Sequence, residues 1–254
     1  MQISSIHDSA MVAWLQTMSI RNYKIEAENY LSDKFAKLKS KTKSGESTCF
    51  FVPKLGAQES KYFILGLEHN FYSIDEEGYV KSSILPPPTK PGDKQRMITL
   101  YWHRQGKRYL YREGVCQLST VTYLILNRGW NKDSIFLEPD ISNYGDLAYA
   151  VDIIIKASQG NILVCCEVKK SKSELDKLIK HFKYCSNIGP HERKSCKYRQ
   201  NHPKYEMCAK YEPMYFYVTA PDNEICYKLS YNNGRIFSEE LWDLPHKNQI
   251  SFQD

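Results

Sequence analysis

Three residues of this 254-residue chain have the types and spacing for metal-assisted hydrolysis: Asp152, Glu167 and Lys169. Asp152 opens an apolar run, Ile153-Ile154-Ile155. A polar turn at Ser158-Gln159-Gly160-Asn161 then leads into a second run, Ile162–Cys166, which ends in Glu167-Val168-Lys169. Residues two apart on a strand share a face, so Glu167 and Lys169 point together, and a hairpin would bring Asp152 beside them. Two carboxylates and an ammonium at the edge of a buried sheet are costly unless a metal ion offsets the charge. The chemistry such a site would do is divalent-metal cleavage of a phosphodiester. The plainer alternative is a Glu167–Lys169 ion pair on an exposed sheet edge, with Asp152 as a strand cap. Long apolar runs on both strands argue against an exposed sheet.

Asp152, fourteen intervening residues and then Glu167-Val168-Lys169 resemble the core of the PD-(D/E)XK nuclease superfamily, the restriction-endonuclease-like fold. The resemblance covers residues 110–231. Val151, not proline, precedes Asp152. A literal Pro139-Asp140 occurs upstream, but Asp140 opens a polar run, which leaves Asp140 and Asp146 as acids behind the metal ligands. The resemblance implies a Mg²⁺-dependent nuclease, usually acting on DNA, with Mn²⁺ able to substitute. Mg²⁺ takes hard oxygen ligands and keeps several waters, so Asp152, Glu167 and the carbonyl of Val168 are the expected ligands. The ion would acidify a bound water and neutralise charge on the scissile phosphate. Lys169 would orient or deprotonate that water, or stabilise the pentacovalent phosphate. The superfamily's helix acid corresponds to Glu113, a further expected catalytic and metal-binding carboxylate, with Gln117 one turn on sharing its face.

The elements that must position these groups are legible in part. Tyr23–Leu38 and Glu113–Arg128 recur apolar at helical spacing, the latter stopping at Gly129, and Ala10–Met18 is a shorter apolar segment of the same kind. Cys49–Pro53, Lys61–Leu67 and Phe71–Ile74 read as strands, with a turn at Asp75–Gly78. Met97–Trp102 and Arg108–Tyr111 form a hairpin pattern, and Ser134–Glu138 a short strand. After the central hairpin, 149–157 and 162–169, come a helix over Ser173–Cys185 and another starting at Pro203. Strands over Met214–Ala220 and Ile225–Tyr231 follow, closed by Asn232-Asn233-Gly234. The expected fold is α/β, a mixed central sheet flanked by helices, with an N-terminal helical and β-hairpin region. The proline-rich Ile84–Asp93 reads as a linker rather than core. It divides an accessory region, 1–95, from a catalytic domain, 96–254.

Charge supports a polyanionic partner. Residues 169–210 hold 12 Lys/Arg against 4 Asp/Glu, a balance of +8 in a chain whose net charge is +6. A nucleic acid lying across the acidic site would gain from that field by releasing counterions. Lys170, Lys172, Lys204 and His202 are the expected nucleic-acid contacts. A solvated helix face and a basic loop would explain the same run without a ligand. Cys185, His191, Cys196, His202 and Cys208 crowd into 24 residues. No CxxC knuckle occurs and the gaps between cysteines fit no standard finger, so thiols and imidazoles in a basic surface loop are expected ahead of structural zinc. Tyr101-Trp102-His103-Arg104 could stack on bases, though a packed sheet face is the commoner use.

Composition bounds the rest. A hydrophobic share of 42% and a charged share of 25% are ordinary for a globular protein. Eight cysteines are too sparse for a disulfide scaffold and read as reduced thiols. No GxSxG, GxxxxGK[ST] or GxGxxG signature is present. No apolar stretch approaches a membrane span and no secretion signal is recognisable, so a cytoplasmic protein without a membrane partner is expected. The leading expectation is a Mg²⁺-dependent DNA endonuclease used in restriction, phage defence or mobile-element processing. The alternatives are an RNA-cleaving nuclease of the same fold and a non-catalytic nucleic-acid-binding or assembly protein on that scaffold. Breaking both strands of a duplex takes two single-site enzymes, so a homodimer or a partner protein is also expected.

Overall fold

The two apolar runs that flank the acidic motif become the middle of a mixed six-stranded sheet. The structure, a computed structural model, describes residues 21–36, 50–85, 98–104, 107–139 and 141–250. In chain order these form α1 (Tyr23–Ala36), β1 (Phe50–Phe51), α2 (Ala57–Glu68), β2 (Ser73–Ile74), β3 (Val80–Lys81), β4 (Tyr101–Arg104) and β5 (Lys107–Leu110). Then come α3 (Arg112–Leu126), β6 (Ile135–Leu137), α4 (Ile141–Tyr144), β7 (Ile153–Lys156), β8 (Ile162–Val168), α5 (Lys172–Ile188) and α6 (His202–Tyr211). Strands β9 (Tyr215–Ala220), β10 (Asn223–Asn232) and β11 (Arg235–Leu241) complete the chain.

The large sheet runs β11-β10-β9-β8-β7-β6 and is antiparallel except between β8 and β9. A parallel pair needs a long crossover, and α5 and α6 supply it. They cover one face: Leu175, Leu178 and Phe182 of α5 join Ile154, Cys165 and Phe216, with the rings of Phe182 and Phe216 stacked at 4.4 Å. The other face is covered by α3, whose Val115, Leu118 and Val121 join Ile153, Ile155, Val164 and Cys166. Both faces being buried explains why every residue of β8 is buried and why its sequence shows no polar alternation. The mixed α/β class agrees with the sequence expectation.

The helices expected from periodicity form with boundaries shifted by a few residues. The α5 cap is Ser171, whose hydroxyl accepts from the Glu174 amide, so the helix starts one residue before the expected Ser173. Three expectations need correction. Residues 61–67 are not a strand but lie in α2. Their continuous apolar run hides the period, while Glu59 closes the turn by accepting from the Gly56 amide at 2.8 Å. Ile84 and Leu85, read as linker, are core residues, and the Ile84 carbonyl accepts from Leu137. The strand β11 was not expected because its sidedness is weak: Ile236 is its one buried residue. Ala10–Met18 and most of the proline-rich segment where the domain boundary was expected lie outside the described residues. Side chains of α1 and α2, among them Leu31 and Phe63, share an apolar cluster with α3 and the sheet.

Gly66 of α2 lies against Thr122 of α3. A Cβ there would collide with the Thr122 hydroxyl and the Tyr72 ring. Gly66→Ala should therefore lower stability by about 1–3 kcal/mol through overpacking, seen as a reduced melting temperature. A melting temperature unchanged from wild type would contradict this packing.

Candidate active site

Three chain segments meet at the end of the sheet where β8 stops. The Asp152 amide donates to the Cys166 carbonyl at 3.1 Å, and the Val168 amide donates to Asp152 Oδ2 at 2.6 Å. Asp152 is thereby fixed against the last residues of β8. On its other side the Glu138 amide donates to the Asp152 carbonyl at 2.7 Å. Glu138 follows β6 in the left-handed backbone region, with φ at 55°. For a residue with a Cβ that conformation costs roughly 1–2 kcal/mol, a strain that concentrates at functional sites.

The helix α3 completes the assembly. Gln117 Nε2 donates to Asp152 Oδ1 at 2.9 Å and to Glu138 Oε1 at 3.1 Å, holding two carboxylates with one amide. Its Oε1 is buried without a partner. One turn earlier, Glu113 Oε1 lies 3.2 Å from Lys169 Nζ, and the Tyr111 hydroxyl donates to Glu113 Oε2 at 3.3 Å. Lys169 Nζ also lies 2.6 Å from Glu167 Oε1. From the opposite face of the sheet, Lys204 of α6 brings its Nζ to 3.2 Å from the same Glu167 oxygen. The cluster thus spans the sheet end where its two covered faces meet. The acids are linked through a shared ammonium and a shared amide. Among the described residues, no three of them bring oxygens within 4.8 Å of one another.

Electrostatics follow from this crowding. Desolvation first, then the Glu167 carboxylate, push the Asp152 carboxyl well above the usual carboxylate range, against the pull of Lys169. Desolvation would lower Lys169, but the Glu167, Asp152 and Glu113 carboxylates outweigh it and raise the ammonium's affinity for its proton. Burial, with Glu113, Asp152 and Glu138 nearby, raises Tyr111 in the same way. Glu113, Glu138, Asp152 and Lys169 all keep partial solvent exposure, so a ligand can reach them.

The structure brings Asp152, Glu167, Lys169 and Glu113 into this one cluster, and Val168 contributes a backbone amide to it. Gln117, expected to share a face with Glu113, is its central donor. Glu138 was missed, although the acid preceding Pro139-Asp140 was in plain view; a left-handed turn lies outside any strand or helix period. Asp140 lies outside the described residues and Asp146 is exposed. The expected nucleic-acid contacts separate. Lys170 and Lys172 are exposed at the start of α5, paired with Glu174 and Asp176 at 3.2 and 2.7 Å. Lys204 is buried against Glu167, and His202 is fully buried elsewhere. Among the described residues no helix is long and apolar enough to cross a membrane. Comparison of the chain with known protein families and with curated proteins gives no match.

Proposed function

We propose that the protein is a divalent-metal-dependent deoxyribonuclease that hydrolyses phosphodiester bonds at the end of β8. One observation carries the reading. The carboxylates of Glu113, Glu138, Asp152 and Glu167 are brought together at the end of β8, with the ammonium groups of Lys169 and Lys204 among them. A divalent cation bound among these carboxylates would offset their mutual repulsion. Burial first, and then the neighbouring Glu167 carboxylate, raise the proton affinity of Asp152, and a cation held beside it would favour its ionised form. The donors are hard oxygens, suited to Mg²⁺ or Mn²⁺. Asp152 and Glu167, with the Val168 carbonyl, would hold the ion, flanked by Glu113, which is tied to Lys169, and by Glu138, which is tied to Gln117. When bound, Mg²⁺ would acidify a water and offset charge growing on the phosphate.

The chain's own groups have distinct tasks. Gln117 fixes the Asp152 and Glu138 carboxylates before any ligand arrives, which removes reorganisation from the reaction. Lys169 stays an ammonium near neutrality, so its task is to donate to a phosphate oxygen rather than to accept the water's proton. Lys204 holds Glu167 from behind. The exposed Lys170 and Lys172, at the start of the basic 169–210 segment, favour approach of a polyanion.

End-labelled DNA and RNA oligonucleotides, incubated with Mg²⁺ or Mn²⁺, test this. The expected result is DNA products bearing 5′-phosphates, none with EDTA, and none from Asp152→Ala. Cutting of RNA alone would replace the substrate in this reading. Metal-independent binding of either polymer without cutting would replace catalysis with a scaffold role.

A further inference from the structure

We propose a second metal centre in this chain: a structural zinc ion bound by Cys185, His191, Cys196 and His202. One ligand atom from each of these residues lies within 4.8 Å of the others, and the spacing is Cys-x5-His-x4-Cys-x5-His. Cys185 is in the last turn of α5, His191 and Cys196 are in the connecting loop, and His202 opens α6. Gly189, at φ 82°, ends α5 in a conformation that favours glycine and leads the chain back toward the helix. The loop expected to be a basic surface segment therefore folds its soft donors inward. Cys185, Cys196 and His202 are buried, His202 completely.

The geometry is that of a tetrahedral S2N2 site. Cys185 Sγ and Cys196 Sγ are 3.7 Å apart. That is far beyond the roughly 2.05 Å of a disulfide. It matches the sulfur–sulfur edge of about 3.8 Å that tetrahedral Zn–S bonds of about 2.3 Å generate. The Tyr198 amide lies 3.3 Å from Cys196 Sγ, a donor suited to a thiolate.

The His191 imidazole is set in the tautomer a metal needs. His191 Nδ1 is 2.7 Å from the Gly189 carbonyl, which can only accept, so Nδ1 carries the hydrogen and Nε2 keeps its lone pair. His202 Nδ1 faces Glu206 Oε1 at 3.3 Å, and Arg193 anchors that carboxylate through its other oxygen at 2.7 Å. A carboxylate behind a ligating histidine is the usual supporting contact at zinc. Nε2 of His191 and both ring nitrogens of His202 are buried with no hydrogen-bond partner, and the rings meet edge to face at 4.5 Å. Buried polar nitrogens are rarely left unsatisfied. Four protein donors leave no open position, so the ion would be structural rather than catalytic. It would tie the end of α5 to the start of α6, two residues before Lys204. Cys208, the fifth candidate in the sequence, faces Cys165 instead.

The test is metal analysis of the full chain purified under reducing conditions, with Co²⁺ substitution as the spectroscopic check. The expected result is one zinc per chain, replaceable by Co²⁺ with the intense visible bands of a tetrahedral thiolate site. Stoichiometric zinc should be lost in Cys196→Ser and in the half-exposed His191→Gln, and kept in Cys208→Ser. A folded wild-type chain that takes up neither ion would overturn the proposal. So would zinc retained by Cys196→Ser and His191→Gln alike, or a Cys185–Cys196 disulfide in the reduced preparation. None of these readings depends on nuclease activity.

Discussion

Asp152→Asn is expected to make the metal-free protein more stable while abolishing cleavage. Asparagine keeps the shape of aspartate and can still accept from the Val168 amide, and Gln117 can turn its unpartnered oxygen toward the new amide at the cost of its bond to Glu138. What disappears is a poorly compensated carboxylate among Glu138 and Glu167. The gain of about 1–4 kcal/mol found when whole buried ion pairs are exchanged for neutral groups is the upper bound here, because Lys169 keeps its charge. For a chain this size each kcal/mol moves the melting temperature by about 2–4 °C. Loss of a metal-holding carboxylate should cost at least about 10²–10³-fold in cleavage rate, the scale of removing one electrostatic contact to a transition state.

The same residue sets the pH dependence. Its folded value lies above its unfolded one. Its contribution to stability is therefore full below the ordinary carboxylate range and is lost as pH rises through the elevated value. Metal-free wild type should lose stability across that window, and Asp152→Asn should not. Cleavage should run the other way, rising with pH as Asp152 ionises and can hold the ion. Equal melting temperatures for the two proteins at every pH would remove the charge argument.

Lys169→Ala should separate metal binding from chemistry. Without its ammonium, Glu113 and Glu167 lose their shared counter-charge and Lys204 alone remains beside Glu167. Breaking such a buried pair costs about 3–5 kcal/mol, so the metal-free variant should melt markedly lower. The more negative cluster should bind Mn²⁺ more tightly, shifting the half-saturating concentration downward. At saturating metal the cleavage rate should still fall by about 10²–10³-fold, because no donor replaces the one that meets the phosphate. Weaker metal binding in Lys169→Ala would show that Lys169 helps to hold the ion's ligands rather than the substrate. An unchanged saturated rate would remove it from the chemistry.

The acidic site was legible where it follows strand periodicity. Asp152 and Glu167 sit at the ends of apolar runs and Lys169 two residues on, so hairpin geometry alone predicts their meeting. Glu113 lies on an amphipathic helix whose apolar stripe fixes its direction. Glu138 owes its place to a left-handed turn. Lys204 owes its own to a crossover that brings α6 from thirty-seven residues away onto the opposite face of β8. Neither leaves a periodic trace. The misread strand at 61–67 shows the converse: an unbroken apolar run serves a buried helix as well as a buried strand, and only the Gly56–Glu59 cap separates them. The Cys/His cluster was concealed by irregular spacing, since its donors are gathered by two helix ends and the turn at Gly189 rather than by a compact knuckle.

Mn²⁺ occupancy, followed by electron paramagnetic resonance on matched wild-type and Asp152→Asn proteins, asks whether the carboxylates gathered at the end of β8 take up one hard divalent ion. The predicted result is one bound ion per wild-type chain, displaced by Mg²⁺ and lost in the variant. Wild type that binds no Mn²⁺, or binds it no better than Asp152→Asn, would rule out a metal site built on Asp152.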